Sequence, residues 1–169
     1  MSATSFPTLP LREWKSTKET LHRWVQIVGK IRMELMPPQN HWWHVPLYVT
    51  THGLGTGPIP YEDKRLEITF DFHRHQLKVE LSDARKKAFN LKDGLSVSLF
   101  YKSLFEILDH LDVSVSILAK PYDLEDDRHF NKDDDHKSYH KKYVERYWQI
   151  LLTVDKLFRK FNQSYCGKV

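Results

Sequence analysis

Between residues 45 and 91 the apolar side chains alternate with polar ones, whereas on either side of that block they recur at three- and four-residue intervals. A period of two belongs to a strand with one buried face, and a period near 3.6 to an amphipathic helix. Leu66, Ile68, Phe70 and Phe72 fall on one face of a strand, with Arg65, Glu67, Thr69 and Asp71 on the other. Residues 72–76 read as a turn, Leu77, Val79 and Leu81 as a further strand, and residues 88–91 as a short fourth. Val45, Leu47 and Val49 also alternate, but Pro46 gives no ladder donor, so that strand belongs at an edge or carries a bulge. Val113, Val115 and Ile117, spaced by serines, predict one more strand.

Three helical stripes surround the block. The first carries Leu21, Trp24, Val28, Ile31 and Leu35; Ser16 and Glu19 fit a capping box ahead of it, and Pro37-Pro38 ends it. The second runs through Val97, Phe100, Leu104, Leu108 and Leu111, with Ser96 as cap. The third carries Val144, Trp148, Leu151, Val154, Phe158 and Phe161. Strands clustered between helices predict the α+β class: a mainly antiparallel sheet of four to five strands packed with three main helices, not a doubly wound parallel sheet.

A chain of 169 residues is expected to form one domain, here residues 14–169 behind an extended, proline-containing arm of residues 1–13. Cys166 is the only cysteine, which excludes an intramolecular disulfide and, with no secretory leader pattern, leads us to expect a cytoplasmic protein. Charge interrupts the longest apolar runs well short of the roughly 20 residues a membrane span needs. The net charge of +4 is too small to argue for nucleic acid.

Asn40-His41-Trp42-Trp43-His44-Val45-Pro46-Leu47-Tyr48, followed by the Gly- and Pro-punctuated stretch from Gly53 to Tyr61, concentrates large and expensive side chains. His41 and His44 are candidate ligands for a transition metal, since neutral imidazole suits such ions, with His136 as a candidate third. The same histidines also read as hydrogen-bonded turn residues. Trp42 and Trp43, adjacent in extended chain, would face opposite ways, one indole in each of two hydrophobic layers or one forming a platform for a planar ligand. Asp71 and the Asp133-x-x-His136-x-x-Tyr139 segment supply further acid/base candidates. The glycines at 53, 55 and 57 lack the spacing of a dinucleotide or phosphate loop and read as a tight connection. Residues 123–135 are acidic without the glycine and terminal glutamate of an EF-hand, and Asp155 falls beside the third helical stripe, where it needs a partner.

The Asn-His-Trp-Trp motif, the Val45-Pro46-Leu47-Tyr48-Val49-Thr50 run, Gly57-Pro58-Ile59-Pro60-Tyr61, Asp71-Phe72, Asp133-x-x-His136-x-x-Tyr139 and Gly167-Lys168 resemble an uncharacterised, mainly bacterial family known only as a domain of unknown function. The resemblance implies no activity. It implies a longer architecture, of which this chain looks like the amino-terminal half, so that self-association or a missing carboxy-terminal half would cover exposed aromatic surface.

The residues therefore lead to a pocket built from His41, Trp42, Trp43, His44, Tyr48, Gly57, Pro58, Tyr61, Asp71, Asp133, His136 and Tyr139. Its best reading is a module that binds a small molecule or a partner segment. The alternatives are a metal- or acid/base-dependent enzyme on a small substrate, and a non-catalytic half of a larger assembly.

Overall fold

The computed structural model describes residues 6–163. Helix α1 (Leu11–Leu35) is followed by a 3-10 turn (Asn40–Trp42) and six strands: β1 (Tyr48–Val49), β2 (Gly53–Gly55), β3 (Ile59–Tyr61), β4 (Lys64–Asp71), β5 (Gln76–Leu81) and β6 (Lys86–Asn90). Helix α2 (Val97–His110), a second 3-10 turn (Phe130–Lys132) and helix α3 (Lys141–Asn162) complete it. Every strand pairing is antiparallel, in the order β1-β2-β4-β5-β6, with β3 also on β4. The α+β class holds, with six strands rather than four to five.

The alternation sets the sheet's faces. Leu66, Ile68, Phe70, Leu77, Val79 and Leu81 are buried on the helix side, while Arg65 and Glu80 are exposed on the other, as a one-sided antiparallel sheet requires. Against the buried face Trp24 of α1 stacks on Phe100 of α2 with ring centroids 4.9 Å apart, and Phe100 stacks on Phe70 of β4 at 6.1 Å. This column locks both helices onto the central strand. Burying each such ring stabilises the fold by roughly 1.5–3 kcal/mol before entropy is counted.

β2 and β3 share one side of β4, at its two ends, and Thr56 carries the ladder between them. Its amide donates to the Ile68 carbonyl at 3.0 Å, and its hydroxyl accepts from the Ile68 amide at 3.1 Å, standing in for a strand carbonyl. Both backbone groups of Ile68 are thereby paired across the jump. At the start of β2, Gly53 lets that strand lie close against the end of β4, since a Cβ there would lie 2.0 Å from the Phe70 carbonyl oxygen and 2.9 Å from the Phe72 ring.

Several expectations give way to longer-range packing. The first helix starts at Leu11, so Ser16 lies inside it and accepts through its carbonyl from the Thr20 hydroxyl instead of capping. Pro46 shortens the expected strand at 45–50 to Tyr48 and Val49, which form the sheet edge. Residues 113–117 form no strand, and Tyr61 takes up the backbone at their start: its hydroxyl accepts from the Ser114 amide at 2.8 Å and donates to the Asp112 carbonyl at 3.3 Å. The Ser96 cap is present, its hydroxyl accepting from the Leu99 amide at 3.2 Å. Asp155 meets no buried partner; it pairs along the helix surface with Arg159 at 2.7 Å. Cys166 and the Gly167-Lys168 pair lie outside the described residues. Among the described residues, no helix is long and apolar enough to cross a membrane.

Gly53→Ala is expected to lower unfolding stability by about 2 kcal/mol or more, because the methyl must displace the β4 backbone. An unchanged urea midpoint would contradict this close approach of β2 to β4.

Candidate functional site

Arg32, on α1, organises the motif that follows. It lies three residues before Leu35 and four after Val28, within the buried stripe, and is 3% exposed. Its guanidinium pairs with no carboxylate among the described residues. Instead Nη1 donates to the carbonyls of Trp43, at 3.3 Å, and Pro46, and Nη2 donates to the Tyr48 hydroxyl at 3.1 Å. The charge also sits 4.9 Å from the centre of the Tyr48 ring. The 40–48 segment is thereby tied back along the last turns of α1.

Held this way, the segment is a tight turn and not a strand. His41 and Trp42 occupy the left-handed region at φ 56° and 60°, a conformation a bulky side chain adopts only where its surroundings enforce it. Strand alternation does not apply, and both indoles are exposed, Trp42 by 69% and Trp43 by 52%. Neither lies in a hydrophobic layer, contrary to the two-layer expectation. His44 is buried: its Nδ1 accepts from the Gln39 amide at 3.1 Å, and its ring stacks on Trp42 at 5.5 Å. Trp42 is braced from behind on one face.

Between this segment and α1 lies an apolar groove of about 690 Å³, lined along the helix by Val25, Gln26 and Met33 and opposite by Trp42, Leu47 and Tyr122. Gln26 fixes the Tyr122 wall: its side-chain carbonyl accepts from the Tyr122 amide at 2.8 Å, and its nitrogen donates to the Tyr122 carbonyl at 2.9 Å. That clasp spends the amide on backbone and leaves the groove surface apolar. His22 and Lys30 stand at its margins.

The remaining candidates fall into separate clusters. Asp133 is fully buried and accepts from His136 Nδ1 at 2.9 Å. Arg23 Nε lies 3.2 Å from the same carboxylate, a charge contact too far off line to be a hydrogen bond. The carbonyls of Asp133 and His136 accept from the amides of Ser98 and Val97, so this segment also closes the start of α2. Asp71 sits across the fold at the β4–β5 turn, where it accepts from the amides of His73 and Arg74 and from Lys78. Burial alone would raise its pKa, but the Lys78 ammonium and those amides outweigh it and hold the carboxyl below its ordinary value.

Tyr139 donates to neither Asp133 nor His136. It meets His75, whose Nδ1 is 3.1 Å from the Tyr139 hydroxyl and whose Nε2 is 3.1 Å from Glu145. Burial pushes Tyr139 above the ordinary tyrosine range, so it stays a proton donor to a neutral imidazole. Burial lowers His75 below 6.5 despite the Glu145 carboxylate, which pulls the other way. Tyr48 packs against Gly57, which at φ 64° needs its missing side chain, while Pro58 is exposed and Tyr61 serves the 112–114 backbone.

Thus His41, Trp42, Trp43, His44, Tyr48 and Gly57 belong to one neighbourhood around Arg32; Asp71 and Tyr139 flank His75; and Asp133 and His136 face Arg23. His41 and His44 bond to neither Asp71 nor His136. Among the described residues no group of three or more His, Cys, Asp or Glu side chains is arranged to hold a metal ion. Sequence reasoning missed Arg32, Met33 and Tyr122. Arg32 alone had a readable signal, a charge placed within an apolar helical stripe.

His75 gives the stability a pH signature. With its folded pKa below 6.5, the unfolded chain binds the proton more readily, so its contribution is full above 6.5 and is lost as pH falls through the folded value. Urea midpoints measured from neutral pH down to about 5 should fall for the native chain and fall less for His75→Gln. Parallel pH profiles would contradict this assignment.

The model of a family of unknown function, DUF5996, matches residues 6–169. No curated protein and no solved structure matches the chain. The match spans nearly the whole sequence, and the chain belongs to that family.

Proposed function

We propose that this chain is a binding module whose groove between α1 and the 42–47 segment accepts a small, apolar, planar molecule. The observation that carries this reading is Trp42: an indole 69% exposed, held in left-handed backbone and braced by His44, forming one wall of an apolar groove. A free aromatic surface of this kind costs stability, and a chain that enforces it through a strained turn gains a flat face for stacking. The volume of about 690 Å³ lies within the range of small-molecule sites. Lining that is chiefly aliphatic and aromatic, with its one amide already committed to Tyr122, favours an apolar body over a sugar or nucleotide.

Metal or acid/base chemistry has less support from the geometry. Of the candidate groups, Asp133 and His136 form an oriented carboxylate–imidazole pair, but neither lines the groove. The assembly reading rests on a different surface. Past Trp148 the apolar stripe of α3 emerges from the core, leaving Leu152, Leu157 and Phe158 exposed, as a helix face prepared for a further partner would be.

N-phenyl-1-naphthylamine, a neutral probe that brightens in apolar surroundings, should bind with gain of emission. Trp42→Ala is expected to weaken that binding about tenfold, which corresponds to ~1.4 kcal/mol of lost stacking. Equal affinity in the variant, with its unfolding midpoint retained, would contradict the assignment of the groove.

A further inference from the structure

The groove is apolar in its body but not neutral at its margin. Its basic lining residues are Lys30 and His22, and no carboxylate lines it. Lys30 forms no ion pair among the described residues, although α1 carries acidic groups that pair elsewhere, such as Glu19 with Lys15 at 3.8 Å. An adjoining recess of about 320 Å³ shares His22 and Val25 with the groove and repeats the pattern, with Lys18 on its wall and again no carboxylate. Two adjoining apolar spaces along one helix therefore present basic side chains and no carboxylate. Burial, and then the nearby charges of Arg23 and Lys18, hold His22 between the two spaces below its ordinary value.

Building on the binding function proposed above, we propose that the groove selects an amphipathic carboxylic acid. Its apolar body lies against Val25, Met33, Trp42 and Leu47, and its carboxylate pairs with the Lys30 ammonium. An ammonium on a four-carbon stem suits this role, because the stem covers apolar surface while the charge stays at the water boundary. Beside an apolar wall that ion pair is less screened than one on open surface. The uncharged ligand that fills the same space forfeits it. A cationic ligand meets repulsion from Lys30 with no acidic lining group to offset it.

An isosteric pair separates charge from shape. 1-Naphthoate and 1-naphthamide are titrated by calorimetry, and as competitors of the neutral naphthylamine probe, at low and high salt. The acid is expected to bind about tenfold more tightly than the amide at low salt, a preference that narrows as salt screens the pair. Lys30→Gln should reduce the acid to the level of the amide, Lys30→Arg should keep the preference, and Lys87→Gln, on exposed β6, should leave it intact. Unfolding midpoints establish that each variant is folded. Equal affinities for acid and amide, or a preference that survives Lys30→Gln, would overturn the carboxylate assignment while the binding groove stands. Failure of the neutral probe and both naphthalene ligands to bind would instead remove the groove itself.

Discussion

A single buried cation with no acid partner among the described residues holds the distinctive part of this molecule together. Burying a guanidinium costs several kcal/mol unless its donors are used, and Arg32 uses them on the carbonyls of Trp43 and Pro46 and on the Tyr48 hydroxyl. A carboxylate partner would have fixed the charge to one point. Carbonyl partners spread over residues 43–46 fix a length of backbone instead, so the charge acts as a clamp on a turn. Its Nε makes no hydrogen bond, a residual cost the clamp carries. The left-handed pair at 41 and 42, the burial of His44 and the outward set of Trp42 all follow from that anchoring.

The rest of the fold supplies a rigid backing. The Trp24–Phe100–Phe70 column fixes α1 and α2 to the centre of the sheet, and Trp148 ties α3 to the sheet edge through its indole N–H to the Thr50 carbonyl at 3.2 Å. Polar clusters complete the seams. Arg23, Asp133 and His136 join α1 to the start of α2, and His75, Tyr139 and Glu145 join the β4–β5 turn to α3. Asp133, His136 and Tyr139 are among the groups that sequence alone offers as acid/base candidates. Their geometry shows them joining elements of the scaffold, with α1 left free on one side to form the groove.

Legibility in the sequence followed the range of the interactions. Burial period alone exposed β4, β5 and the three helices, because each repeats over many residues. The Ser96 cap was readable because it is local. The helix start at Leu11, the loss of a strand at 113–117 and the six-stranded count depend on contacts between distant residues, such as Tyr61 with Ser114, which no periodicity records. Trp42 of the Asn-His-Trp-Trp motif lines the proposed groove, but strand logic gave the wrong orientation for the motif's indoles, since two left-handed residues remove the alternation. Tyr122 could not be found at all from its neighbours. It reaches the groove only through Gln26, 96 residues earlier.

The clamp is tested most directly by amide hydrogen exchange in Arg32→Met. Three amides report on the turn: Gln39, bonded to His44, Trp43, bonded to Asn40, and Val45, bonded to Trp42. If Arg32 holds the segment, these amides should exchange about tenfold faster or more in the variant, while those of β4 and β5 keep their protection. Unchanged protection at 39, 43 and 45 would mean that the turn stands without the guanidinium, and that the groove wall has some other origin.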